Sequence, residues 1–145
     1  MNSLILTVGN EEYQLKISSR LTMEAEKKLG QSILRATMRL DEIEVFAIIL
    51  WAAMQQFNHG IKLDDVYDII DDMARDGCSF TDPSSKAEHK YDQFSLGDRE
   101  ALIMAIMKVS GFFSKAEIDE IDKNEEILKI VKTPRKKKSS TPSQS

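Results

Sequence analysis

The sequence contains few of the residues that cross-link a chain or form metal and nucleophile sites. It has one cysteine, three prolines, six glycines and two histidines among 145 residues. A single cysteine, Cys78, cannot form an internal disulfide, which excludes a disulfide framework and makes a reducing, intracellular setting the expectation. Cys78, His59 and His89 are too scattered to match a zinc quartet or a Cys-His nucleophile, so we expect structural roles for them.

Long hydrophobic runs are also missing. The longest, Val45–Met54, has ten residues, about half the length of a membrane span. Met1–Leu6 has no basic segment and too short an apolar stretch for a signal peptide, so none is expected. There is no glycine-rich phosphate loop and no serine nucleophile elbow. We therefore expect no membrane anchor, no catalytic residues, no cofactor and no metal site.

The charge is unevenly distributed along the chain. Residues 1–128 carry 14 basic and 24 acidic side chains, a net charge of −10, whereas residues 129–145 carry six basic and no acidic side chains. The last segment is also rich in serine, threonine and lysine, a composition typical of disorder. We predict one domain over residues 1–128 and a disordered basic tail over residues 129–145.

The N-terminal segment has the pattern of a β-hairpin. Leu4–Val8 is apolar and β-branched, Gly9 and Asn10 are turn residues, and Tyr13–Ile17 alternates apolar with polar side chains. These signals predict a hairpin over residues 3–18.

Helical periodicity and capping signals predict about five helices over residues 22–128. The second major helix, from Ile43 to about Asn58, is apolar nearly all round and should be central, with Phe46 and Trp51 in the core. We expect residues 78–94 to form a long loop. The expected helix starts are Thr22, a capping box at Asp41–Glu44, Asp64, Ser95 or Asp98, and a capping box at Ser114–Glu117. The predicted fold is α+β, a β-hairpin packed on a small helical bundle.

An acidic motif admits two interpretations. Asp64, Asp65 and Asp68 have the spacing with which prenyl-diphosphate synthases hold magnesium and a diphosphate. Those enzymes use two facing aspartate-rich segments, whereas here further aspartates simply continue the same helix. We favour a solvated acidic helix face, and we keep a magnesium-dependent diphosphate enzyme as the enzymatic alternative.

Seven methionines also allow two interpretations. Methionine adapts to irregular partner surfaces, and it also fills cores. Core filling is the commoner role, so we expect it for most of them. Five of the seven lie mostly on predicted helices: Met23, Met38, Met54, Met104 and Met107.

Several short segments, in their order and spacing, resemble the tail assembly chaperones of long-tailed bacteriophages and their prophages. After the hairpin comes a helix with Glu26–Ile33 (Glu-Lys-Lys-Leu-Gly-Gln-Ser-Ile), then an apolar helix opened by Leu40–Ile43, an acidic helix, and Val109–Phe113 (Val-Ser-Gly-Phe-Phe). The likeness spans about residues 4–113.

The resemblance implies a non-catalytic helper that works in the host cytoplasm and is absent from the mature tail. Such chaperones coat the long, helical tape measure protein and recruit tail tube subunits, so these two proteins are the expected partners; self-association stays open. As contact candidates we name Phe112 and Phe113, which lie at a predicted helix break, although both could instead pack inward.

The basic tail adds two hypotheses. Members of this family often produce a longer form by ribosomal frameshifting, and Lys136, Lys137 and Lys138 can be encoded by an adenine run on which the ribosome slips. The tail could alternatively neutralise phosphates, which makes a nucleic-acid-binding regulatory protein of a mobile element the rival function. We do not favour nucleic acid as a partner, because the acidic body would repel it.

Overall fold

The computed structural model describes residues 3–125. The described residues divide into two units, 3–112 and 113–125. The predicted α+β class is confirmed: the first unit combines helices with an antiparallel four-stranded sheet of order β2-β1-β3-β4. The whole of the predicted tail, residues 129–145, lies outside the described residues.

The predicted N-terminal hairpin is present. Strand β1 (Leu4–Val8) pairs antiparallel with β2 (Glu11–Leu15), with Leu4 opposite Leu15 and Val8 opposite Glu11. Gly9, in the left-handed region with φ +60°, makes the tight turn between them. Alternate residues of β1 are buried, so one face of the sheet packs on the core and the other faces away from it.

The helices follow the predicted order with shifted ends. In the first unit they are α1 (Ser19–Leu29), α2 (Ile33–Ala36), α3 (Ile43–Gln55), α4 (Leu63–Asp76) and α5 (Arg99–Val109), with 3₁₀ turns at Thr37–Arg39 and Leu96–Asp98. In the second unit, α6 covers residues 115–125. Within residues 3–125, no helix has both the length and the apolar character needed to cross a membrane.

Helix α3 is the centre of the core, as its composition predicts. Nine of its 13 residues are buried, and it contacts α1, α4, α5 and β2. Phe46 is fully buried, whereas Trp51 is only half-buried and lies under the Lys28 ammonium, 5.0 Å from the ring centroid. A helix surrounded in this way exposes little of its surface to water, which explains its near-continuous apolar sequence.

Three predicted helix starts, those of α1, α3 and α4, are wrong by a few residues. Helix α1 is capped by Ser18, whose Oγ accepts from Leu21 N at 3.3 Å, and Thr22 lies inside the helix. The Asp41–Glu44 capping box does not form: Glu42, not Asp41, occupies the N-cap position of α3, and no side chain caps the helix there. The Glu42 carboxylate binds Arg39 instead. A capping pattern in the sequence does not show which of several neighbouring polar residues takes the N-cap position.

At α4 the carboxylate that caps the helix start belongs to Asp65, which lies inside the helix. Lys62 precedes the helix, and its backbone N donates to the Asp65 carboxylate at 2.8 Å, so Asp64 is not the cap. The predicted capping box of α6 is confirmed: Glu117 N donates to Ser114 Oγ, and Ser114 N donates to the Glu117 carboxylate.

The predicted loop over residues 78–94 is wrong, since it contains two strands. Strand β3 (Cys78–Thr81) pairs with β1 and with β4 (Glu88–Tyr91). The turn between β3 and β4 is organised by Asp82, whose carboxylate accepts from Ser84 N and Ser84 Oγ at 3.0 Å each. Strands of four residues with polar outward side chains give too little alternation to distinguish them from a loop.

Candidate protein-binding surface

Four large apolar side chains are exposed on adjoining segments of the first unit. Leu34 is 54% exposed, Met38 84%, Ile43 42% and Leu96 56%. We call these four residues the apolar surface. Single exposed apolar residues are ordinary on soluble proteins, whereas neighbouring ones are typical of interaction sites.

The first two residues lie on one short helical segment. Ser32 caps α2 by accepting from Arg35 N, and the chain continues from α2 into the 3₁₀ turn Thr37–Arg39. Ile33 and Ala36 point into the core and are fully buried. Leu34, in α2, and Met38, in the 3₁₀ turn, are the exposed large apolar residues of this segment.

Arg99 holds the other two segments beside this one. Its Nη1 donates to the carbonyl oxygens of Leu40, at 2.8 Å, and Asp41, at 3.2 Å. The Arg99 guanidinium also lies over the Phe46 ring, 5.2 Å from its centroid, and Phe94 stacks on Phe46. Phe94 and Arg99 thus join the segment that carries Leu96 to the start of α3, where Ile43 lies.

Carboxylates border the apolar surface. Asp41, Glu42 and Glu44 are exposed where α3 begins, and Glu42 is neutralised by Arg39 at 2.7 Å. Burial, followed by the charges of Glu44 and Asp64, raises the pKa of the Tyr67 hydroxyl. Glu44, at the start of α3, and Asp64, at the start of α4, therefore both act on Tyr67.

The aspartate motif lies on the outside of α4. Asp64, Asp65 and Asp68 are exposed, while Val66, Ile69, Ile70 and Met73 form the buried face. Within residues 3–125 the three carboxylates do not offer ligand atoms within 4.8 Å of one another. This arrangement fits the solvated face favoured from the sequence.

The candidate nucleophile and base residues are His59, His89 and Cys78, and each contacts other parts of the fold. His59 Nδ1 lies 3.2 Å from the Gln55 carbonyl oxygen, at the end of α3 as predicted. His89 stacks on Phe80, with ring centroids 4.6 Å apart, instead of lying in a loop. Burial, with a smaller effect of Asp98, raises the pKa of the Cys78 thiol to about 12. A thiol held protonated in this way is a poor nucleophile.

We expect Cys78 to react slowly with a thiol reagent in the folded protein. In 5,5′-dithiobis(2-nitrobenzoic acid) at pH 8, the folded chain should release less than about a tenth of the thionitrobenzoate that the urea-unfolded chain releases over the same minutes, because only the thiolate attacks. Equal rates in the two states would contradict the burial of Cys78.

Phe112 and Phe113 are the partner contacts predicted from the sequence. Phe112 and Phe113 are both half-buried, and Phe112 N donates to the Met107 carbonyl oxygen at 3.2 Å. Their role as partner contacts stays a prediction. The frameshift candidates Lys136, Lys137 and Lys138 lie outside the described residues.

A separate concavity lies on the sheet face that points away from the helices. Its volume is about 540 Å³, and its lining includes Ile5, Thr7, Ser79, Thr81 and Lys90. Hydroxyl, apolar and charged side chains are mixed there, a combination that indicates no one class of ligand. The apolar surface is therefore the stronger candidate.

The sequence contained only one signal for this surface, the methionines. Met54, Met73 and Met107 are buried, as core filling predicts, but Met23 and Met38 are exposed. In the sequence, Ile43 and Leu96 are apolar residues near predicted helix starts, and this does not distinguish them from residues that are buried. Their exposure depends on where Arg99 anchors the chain, which periodicity does not reveal.

Comparison of the chain with protein-family models, with curated proteins and with solved structures finds no match.

Proposed function

We propose that this chain is a non-catalytic tail assembly chaperone of a long-tailed bacteriophage or prophage. In this proposal it binds the tape measure protein in the host cytoplasm, helps to recruit tail tube subunits, and is absent from the mature tail. The apolar surface is the observation that carries the proposal, above all Met38, whose side chain is 84% exposed. A protein that shields an aggregation-prone helical partner needs accessible apolar side chains of this kind.

Two further features support a binding role over a catalytic one. The thiol of Cys78 is buried and held protonated, and the aspartates of α4 point to solvent without converging. Neither group has the setting that a nucleophile or a diphosphate-bound metal requires.

The rival function, a nucleic-acid-binding regulator, draws no support from the described residues. The outward face of α4 carries exposed carboxylates at Asp64, Asp65, Asp68 and Asp71, and such a face repels phosphates. The basic residues that motivate the rival belong to residues 129–145.

Co-expression tests the proposal. The proposal requires that a very long helical protein, the tape measure candidate, is encoded close to this chain; the two should be produced together and the long protein assayed in the soluble and pelleted fractions. We expect most of the long protein to become soluble and to co-purify with this chain. If it is equally soluble with and without the chain, and the two do not co-purify, the proposed function is wrong.

A further inference from the structure

We infer that the apolar surface binds one amphipathic helix whose polar flanks carry lysine or arginine. This inference rests on the proposed function for the helical nature of the partner. The location and the charge of the partner helix are argued from Leu34, Met38, Ile43 and Leu96 and from the groups around them.

The exposed side chains lie on short segments that can offer several anchors to one helical ligand. Leu34 and Met38 are exposed on one short helical segment, and Ile43 and Leu96 lie on the two segments that Arg99 joins. Amphipathic helices bind such surfaces through anchors at i, i+3 or i+4, and i+7. Met38, unbranched and exposed, can adjust to the shape of an anchor residue.

The carboxylates at the edge set the charge of the ligand. Asp41 and Glu44 are exposed, and within residues 3–125 neither forms a salt bridge, unlike Glu42, which pairs with Arg39. Glu44 directly follows Ile43 in the chain, and Asp41 lies two residues before it, so both carboxylates stand close to this apolar residue. A helix flanked by lysine or arginine would complement this edge, whereas one flanked by glutamate would be repelled.

The same charges disfavour a second copy of the chain as the occupant. Two copies meeting at this surface would bring Asp41, Glu44 and Asp64 of each into one interface, against only the exposed Arg35 of each as an opposite charge without a salt bridge among the described residues. Like charges facing one another across an interface oppose association. A basic partner removes that repulsion and gains attraction in its place.

Fluorescence anisotropy with labelled synthetic helices tests the inference on the full chain. The probe is a peptide of about 18 residues with leucine at i, i+3, i+4 and i+7 spacing and lysine at the other positions. One comparison peptide replaces each lysine with glutamate, and a second has the lysine composition with the leucines scrambled. We expect only the first peptide to bind, and its affinity to fall as salt rises.

Substitutions locate the binding site. Met38→Ser with Leu96→Ser should weaken binding of the lysine peptide at least tenfold, as loss of central anchors does. Glu44→Gln should weaken it a few-fold and reduce its salt dependence. Ile5→Ser is the matched control, because Ile5 is 43% exposed, close to the value for Ile43, but lies on the outer face of the sheet. It should leave binding unchanged.

Four results would overturn the inference. They are equal binding of the glutamate or scrambled peptide, a loss with Ile5→Ser as large as that with the double variant, tighter binding of a peptide that copies residues 126–145, and a self-associated chain that the Met38 and Leu96 substitutions dissociate. The third and fourth would assign the surface to the chain's own tail or to a second copy.

The co-expression assay separates this inference from the proposed function. If the Met38 and Leu96 double variant still keeps the long helical protein soluble, the surface is wrong and the chaperone function stands. If the unmodified chain binds the lysine peptide through this surface but does not solubilise the long protein, the function is wrong and the surface stands.

Discussion

Replacing Gly77 with alanine should destabilise the first unit by about 4 kcal/mol or more, the range reached when strain cannot be relieved. Gly77 has φ +86° and ψ 175°, a conformation that residues with a side chain rarely adopt. A Cβ added there would lie within 2.6 Å of two backbone oxygens, those of Tyr91 and Asp92. Because both atoms are backbone, no side-chain rotation can relieve the overlap.

The position of Gly77 explains why movement there is costly. The Met73 carbonyl oxygen accepts from both Gly77 N and Phe94 N, each at 3.0 Å. This one carbonyl joins the end of α4 to the chain that leaves β4. Making room for a methyl group would separate these segments and pull β4 from β3.

Urea unfolding at pH 7 measures the effect, and Gly97→Ala is the matched control. Gly97 has open space around its Cβ position and no positive φ, so its substitution should change the free energy of unfolding by no more than about 0.5 kcal/mol. Equal losses at the two positions would show that the close approach at Gly77 carries no energetic weight.

The parts of the fold that depend on local pattern were predictable from the sequence. The N-terminal hairpin has alternation and a turn glycine, and α3 and α4 have continuous or periodic apolar residues, so their burial followed directly. Gly30 ends α1 in the left-handed region, with φ +73°, a position where glycine is the usual residue.

The parts that depend on distant residues were not predictable. Strand β3 is held between β1 and β4, some 70 residues from β1 in the chain, and its four residues carry almost no pattern of their own. The candidate surface has the same origin. The segments that carry Ile43 and Leu96 are joined by hydrogen bonds from Arg99 to Leu40 and Asp41, contacts that no local rule describes.

Replacing Lys108 with methionine should lower the free energy of unfolding by about 3 kcal/mol, the usual cost of removing one partner from a buried ion pair. Lys108 Nζ lies 2.5 Å from Asp82 Oδ2, and the two side chains are 1% and 3% exposed. The bond joins α5 to the turn between β3 and β4. Without the ammonium group, the Asp82 carboxylate would stay buried with only neutral donors from Ser84 and Ser85.

A double-mutant cycle isolates this pair from any other contact of Lys108. Asp82→Asn and Lys108→Met should each destabilise the protein, and the double variant should lose clearly less than the sum of the two single losses, because it leaves no buried charge without its counterion. Urea unfolding at pH 7 gives all three values. Additive losses would mean that the two buried charges do not stabilise one another.

The pH dependence of stability should identify the same pair. Burial raises the pKa of Asp82, but the hydrogen bonds and charge of Lys108, with those of Ser84, outweigh it and hold the pKa below its ordinary value. The stabilisation is therefore complete above the unfolded-chain pKa, about 3.9, and is lost as the pH falls through the lower folded value. Between pH 5 and pH 2 the unmodified protein should lose more stability than Asp82→Asn, whose amide does not titrate. If the two stability curves run parallel over that range, Asp82 is not held ionised by Lys108, and the ion pair does not anchor this turn to α5.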